Sequence, residues 1–241
     1  MSYKVDKVSI VIPVYNEESY LEDNVRAIIA QLSSASGFTW DILLVENGSS
    51  DKTLEIIKLL SAEFSNIKYL VLPEANYGNA LKQGLLSADG EVIVSFDIDY
   101  WDTEFVKIIA HVMRVRYDIV IASKNLLLSR DKRGLIRKIA SYSFRMILFF
   151  VFGLRVSDTH GIKAWRNSER IRNYFRLSSP NHHTFDTEVI IRALRDNSQV
   201  LEVPVEVIES RVTDRNILKR VPKALLEIWG IFWRLRISKS F

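Results

Sequence analysis

The chain has 241 residues, 48% of them hydrophobic, and a net charge of only +4, so it can bury one sizeable core and nothing demands a second. It contains no cysteine, which excludes a disulfide framework and a thiolate metal site and fits a reducing compartment. Residues 1–7 lack the apolar core of a signal peptide, and the longest apolar run, residues 146–154, falls well short of the roughly 20 residues of a spanning helix.

In chain order, Val8-Ser-Ile-Val-Ile-Pro13 reads as a buried strand ending in a turn. Residues 17–33 show helical spacing through Leu21, Val25, Ile28, Ile29 and Leu32. Asp41-Ile-Leu-Leu-Val45 is a second buried strand, followed by a turn at residues 47–50 and a helix over 51–60 with Ser50 or Asp51 as its cap. A third strand is expected over 68–72, a helix over 76–88, a fourth strand over 91–96 running straight into Asp97-Ile98-Asp99, a helix over 104–116 and a fifth strand over 118–122. Beyond residue 130 the pattern changes to an apolar, basic helix over 133–152, a turn over 157–161, a helix over 185–196 and an edge strand over 200–208 that tolerates Pro204. Residues 215–238 read as a basic amphipathic helix interrupted near Pro222.

Alternating short strands and helices predict an α/β fold, an open and mostly parallel Rossmann-like sheet covered on both faces. Ligands of such sheets bind at the carboxyl ends of the strands. Polar clusters stand at four of those ends: Tyr15-Asn16-Glu17, Glu46-Asn47-Gly48, Asp97-Ile98-Asp99 and Ser123-Lys124. Asp97 and Asp99, just past a buried strand, supply hard oxygen ligands suited to Mg²⁺ or Mn²⁺ shared with a substrate diphosphate.

Four segments in order, Val11-Ile-Pro-Val-Tyr-Asn-Glu-Glu18, Val45-Glu-Asn-Gly-Ser-Ser-Asp51, Asn76-Tyr-Gly-Asn-Ala80 and Phe96-Asp-Ile-Asp99, together resemble family 2 glycosyltransferases. Val156-Ser-Asp-Thr-His-Gly-Ile-Lys-Ala164, Phe185-Asp-Thr-Glu-Val189 and Val203-Pro-Val205 with Arg211 are similar to the branch that acts on polyprenyl phosphates, including dolichyl-phosphate mannose and glucose synthases. The resemblance implies a GT-A fold and inverting transfer of one sugar from a GDP-mannose or UDP-glucose type donor to a polyprenyl or dolichyl phosphate. It implies a nucleoside pocket lined by Pro13, Tyr15 and Glu17, with Val45 and Asn47 beside the base, and places Asp97, Ile98 and Asp99 at the diphosphate and metal. Lys124 falls where the family usually has a phosphate-contacting arginine, and Arg211 matches a second one. The chain departs from the pattern at Asn47, where an acid is usual and which leaves uracil or guanine open, at Trp101 in place of a glutamine, at His160 in Asp158-Thr-His160, and at Asn216-Ile217 in place of Gly-x-Ser-Lys.

A phosphate acceptor is already anionic and needs positioning and charge balance, whereas a hydroxyl acceptor needs a general base. Lys124, Arg130, Lys132, Arg133, Arg137 and Arg211 are the candidate phosphate ligands. If the acceptor were instead a sugar or polysaccharide hydroxyl, Asp186 or Glu188 would be the base. The Gln-x-x-Arg-Trp motif of processive synthases is absent, and Ala164-Trp165-Arg166 does not satisfy it.

Positive charge concentrates in residues 124–145 and 215–241, each with seven basic residues and one acid. Interleaved with Phe144, Phe149, Phe150, Trp229 and Phe232, that charge fits an interfacial, non-spanning contact with a membrane surface. No nucleic-acid motif accompanies it. The expected organisation is a catalytic domain over 1–214 (nucleotide-binding half about 1–125, acceptor half about 126–214) and a C-terminal helix over 215–241. The expected setting is the cytoplasmic face of a membrane, as a peripheral enzyme or one docked to a membrane-embedded partner protein.

Overall fold

The computed structural model describes residues 5–34, 37–113, 117–123, 126, 130–131, 135–159, 161–180, 184–207 and 217–237. The elements run β1 (Lys7–Val14), α1 (Leu21–Leu32), β2 (Thr39–Asn47), α2 (Thr53–Glu63), β3 (Ile67–Leu72), α3 (Tyr77–Ser87), β4 (Val92–Ser95), α4 (Thr103–Val112) and β5 (Ile119–Ser123). They continue with β6 (Arg130–Asp131), α5 (Leu135–Phe152), β7 (Lys163–Arg166), α6 (Glu169–Leu177), α7 (Phe185–Arg195), β8 (Val200–Pro204), β9 (Glu206–Val207) and α8 (Ile217–Ile237).

Among the described residues, seven strands form one sheet in the order β3-β2-β1-β4-β7-β5-β8. Every neighbouring pair is parallel except those made by β7, which runs antiparallel to both β4 and β5. Side chains of a strand alternate between faces, and β1 feeds two cores accordingly. Ile10 and Ile12 pack with Leu21, Val25 and Ile28 of α1 and Phe105 and Ile109 of α4. Val11 on the opposite face packs with Leu81 of α3, Phe175 of α6 and Val189 of α7. A third cluster joins Leu148 of α5, Ile191 of α7, and Ile228 and Ile231 of α8.

The predicted parallel half is present with its elements displaced by a few residues. The first helix begins at Leu21 because residues 15–20 form turns that close the end of β1. Asp51 acts at the start of α2 by accepting the Thr53 N–H at 3.0 Å. Pro204 does lie in an edge strand, β8. Three elements were not foreseen, β6, β7 and α6, and the strand expected over 200–208 is divided into β8 and β9. Another expectation is corrected: α8 continues through Pro222 from Ile217 to Ile237 without a break.

Candidate active site

The connections β1-α1-β2 and β2-α2-β3 build the sheet outward on one side of β1, and the chain then returns to place β4 on the other side. The topological switch point of the sheet therefore lies between β1 and β4, where ligands of such sheets bind beyond the carboxyl ends. β4 pairs with β1 only from Val8 to Val11. The two strands part after the Phe96 N–H donates to the Val11 carbonyl at 3.0 Å. Pro13 thus stands where β1 has a neighbour only on the β2 side, a position that needs no donor from it.

At that parting the chain folds into a tight turn. Asp97 and Tyr100 exchange backbone hydrogen bonds of 3.2 and 3.0 Å. Ile98 is buried in the core beneath the turn, while Asp97 and Asp99 are half-buried. The Tyr100 ring lies against Gly161, whose φ of +96° and close neighbour (an added Cβ would stand 3.2 Å from the ring) both favour glycine. This joins the Asp97–Asp99 turn to the loop before β7.

Two side chains not singled out as site residues from the sequence, Tyr77 and Lys163, converge here with Asp186, the alternative base. The Tyr77 hydroxyl, at the start of α3, donates to Asp97 Oδ1 at 2.9 Å. Lys163, opposite Ser95 in the β4–β7 register, is fully buried and forms an ion pair of 2.6 Å with Asp186 of α7. Its Nζ also donates to the Gly161 carbonyl at 2.7 Å. Burial pushes the Asp97 carboxyl up from the ordinary aspartate value; the charges of Asp99 and Asp186 add to this, while the Tyr77 hydroxyl and Lys163 pull it down. Burial and the same three carboxylates hold the Tyr77 phenol well above its ordinary value, so at neutral pH it remains a donor.

On the β1–β2 side, Pro13 is buried, Glu17 is half-buried and Tyr15 is exposed. Val45 is a core residue beneath α3, so its side chain faces Gly84 and Val11 rather than the crevice. Asn47 is buried and its Oδ1 accepts the Asn76 N–H at 2.8 Å, tying the end of β2 to the start of α3. Glu46 accepts the Ser49 N–H at 2.5 Å and shapes the turn after β2. The loops after β1 and β2 are sewn together: Asn16 Oδ1 accepts from Ser50 N–H, Thr53 Oγ1 from Glu17 N–H, and Glu18 from Lys52 N–H.

Other sequence candidates resolve differently. Trp101 points its indole N–H at Asn24 of α1, 2.9 Å away. Trp165 is a fully buried core residue, and Arg166 donates to the Met113 and Tyr117 carbonyls. Glu188 is buried between Arg192, at 2.7 Å, and Arg234 of α8, at 2.7 Å. Arg137 lies on α5 and Arg130 on β6. Lys124, Lys132, Arg133, His160, Arg211 and Asn216 lie outside the described residues, and Ile217 opens α8.

Among the described residues no group of three or more His, Cys, Asp or Glu side chains gathers as a ready-made metal cage. Two half-buried carboxylates on one turn match the small protein share of a hard cation completed by phosphate oxygens and water. Residues 9–175 match the sequence profile described as Glycosyl transferase family 2. The chain belongs to that family. It is 28% identical over 254 residues to a dolichyl-phosphate β-glucosyltransferase of Trichomonas vaginalis, covering 95% of this chain and 75% of that one. It is 28% identical to the dolichyl-phosphate β-glucosyltransferase of Saccharomyces cerevisiae, covering 82% of this chain and 66% of that protein's length. A solved glucosyl-3-phosphoglycerate synthase of Mycobacterium tuberculosis, in complex with Mn²⁺, UDP and glucosyl-3-phosphoglycerate, superposes with a TM-score of 0.67 at 19% identity, covering 98% of this chain and 82% of that one. The fold is thus GT-A-like, and this family 2 chain is a glycosyltransferase.

Proposed function

We propose that this glycosyltransferase moves one sugar from a nucleotide sugar onto a polyprenyl phosphate at a membrane surface, with inversion at the anomeric carbon. The observation that carries the reading is the Asp97–Asp99 turn at the switch point between β1 and β4. The names of the relatives support the acceptor class. Asp97 and Asp99 would hold Mg²⁺ or Mn²⁺, a choice supported by the cation in the mycobacterial complex. Bound there, the cation supplies charge neutralisation for the departing diphosphate.

An oxygen of the acceptor phosphate attacks the anomeric carbon in line, the bond from that carbon to the diphosphate breaks, and the nucleoside diphosphate leaves with the electron pair. No proton has to be removed. The ion pairs of Asp186 with Lys163 and of Glu188 with Arg192 and Arg234 favour this scheme, because each carboxylate is already committed to a cation. Lys124, Arg133, Arg137 and Arg211 are proposed, on the sequence, to bind the acceptor phosphate.

The membrane contact is proposed for α5 and α8. Their inner sides pack through Leu148, Ile228 and Ile231, but Tyr142, Phe149, Phe150, Leu226, Trp229 and Trp233 are exposed. Trp229, Phe232 and Trp233 form a contiguous aromatic set. Exposed aromatic rings beside a basic segment suit an anionic lipid interface. Among the described residues no helix is long and apolar enough to cross a membrane.

The test is transfer from radiolabelled UDP-glucose and GDP-mannose, each with Mn²⁺ or Mg²⁺ and a short polyprenyl phosphate. Metal-dependent label extracted into organic solvent from one donor is the expected result and identifies the nucleotide. Metal-dependent donor turnover with no lipid product would reject the polyprenyl-phosphate acceptor.

A further inference from the structure

Tyr77 is held more firmly than a residue at the edge of a cleft needs to be. It opens α3 directly after the cap residue Asn76, whose side chain accepts the Asn79 N–H at 3.1 Å and whose own N–H donates to Asn47 Oδ1. The helix also lies so close to the sheet that a Cβ on Gly84 would stand 2.4 Å from Val11 Cγ1 and 2.8 Å from Val45 Cγ2. Close packing of this kind leaves little freedom for the helix start to drift. Its phenol therefore meets Asp97 Oδ1 at a position determined by β1, β2 and α3 together, while the Asp97 backbone is fixed independently by Tyr100.

A carboxylate has two oxygens with about four acceptor directions between them. With one oxygen engaged by a hydroxyl, the other is the better ligand for a cation, and chelation through both is disfavoured. Mg²⁺ accepts single oxygens in near-octahedral order at about 2.1 Å, whereas Ca²⁺ readily takes a carboxylate through both oxygens at about 2.3–2.6 Å.

We propose that Tyr77 is a positioning residue that presents Asp97 to the cation through one oxygen and so sets the site's preference for small octahedral cations over Ca²⁺. This rests on Asp97 and Asp99 being the metal ligands.

The experiment is Mn²⁺ binding followed by electron paramagnetic resonance, with saturating UDP or GDP and with Ca²⁺ as competitor, on the wild type and Tyr77→Phe. Tyr77→Phe is expected to weaken Mn²⁺ binding by about tenfold, the lower end for loss of a partner to a metal ligand. Ca²⁺ is expected to lose less, so the Mn²⁺-over-Ca²⁺ ratio falls. Unchanged Mn²⁺ affinity, or an equal loss for both cations, overturns the proposal and leaves the phenol as packing. Absence of Mn²⁺ binding by the wild type would instead remove the metal assignment itself, and this inference with it. Thermal melts check that the variant folds, and if Tyr77→Phe does not fold, Tyr77→Met, a second variant without a donor, is measured in its place under the same criteria.

Discussion

Asp97 carries a carboxylate between Asp99 and Asp186 under partial burial, with the Tyr77 hydroxyl and Lys163 offsetting only part of the cost. Its folded-state pKa lies above the unfolded value of 3.8. Ionising it therefore costs stability as pH rises through the folded value, and the cost is absent below 3.8, where both states are protonated. Asp97→Asn is expected to raise the melting temperature of the metal-free protein at pH 7, with the gain vanishing on acidification, while abolishing metal-dependent transfer. A neutral-pH melting temperature equal to or below that of the wild type would contradict this. Asp99→Ala is expected to lose metal-dependent transfer by at least about a hundredfold while keeping the fold; full activity would sink the metal assignment. Both aspartates were legible in the sequence because a buried strand ends directly in them. Tyr77 and Lys163 were not, since they reach Asp97 from a helix start and from an antiparallel strand, and only the β4–β7 register shows that Lys163 stands opposite Ser95. Asn47 shows a different limit: the sequence offers it as a base contact, and only the fold shows that its side-chain Oδ1 also accepts the Asn76 N–H and so ties β2 to α3.

The parallel strands were readable as elements because both faces are covered, which produces uninterrupted apolar runs such as Ile42-Leu43-Leu44-Val45. Strand β7 escaped notice because its four residues, Lys163-Ala-Trp-Arg166, are framed by charges. Their burial is made tolerable by partners remote in sequence, Asp186 for the lysine and the Met113 and Tyr117 carbonyls for the arginine. That dependence gives a prediction for the element. Lys163→Met leaves the Asp186 carboxylate buried with its cation removed, and it is expected to destabilise the protein by about 3–5 kcal/mol in urea titration. Adding Asp186→Asn should recover much of that loss, because the uncompensated charge is gone. A double variant no more stable than Lys163→Met would show that the lysine contributes through packing rather than charge. Helix α7 and its preceding residue also join α8, through Glu188 to Arg234 at 2.7 Å and Thr184 to Glu227 at 3.0 Å. Helix α8 is therefore built into the domain, although its basic and aromatic sequence reads as an appendage.

For the whole molecule, chain path connects the cleft to the two aromatic helices. Strands β5 and β8 run parallel to each other, and their carboxyl ends, Ser123 and Pro204, are paired in register at the same edge of the sheet as the Asp97–Asp99 turn. The chain leaves β5 toward α5 and β8 toward α8, and the short β6–β9 pair links the two exits. A lipid-borne phosphate delivered by those helices would arrive at the edge where the donor diphosphate is proposed to sit. Exposed residues separate delivery from folding: Trp229 and Trp233 are 58% and 44% exposed, whereas the neighbouring Ile228 and Ile231 are buried. Replacing both tryptophans by serine should spare the fold and weaken partition onto anionic vesicles by about 2 kcal/mol, roughly thirtyfold, on the scale of apolar side-chain burial. The decisive comparison is between acceptors. The double variant should raise the KM for a polyprenyl phosphate embedded in vesicles but leave that for a short, water-soluble polyprenyl phosphate unchanged, since only the first depends on surface concentration. An equal rise for both acceptors would place the aromatic face in the acceptor pocket itself rather than on the membrane.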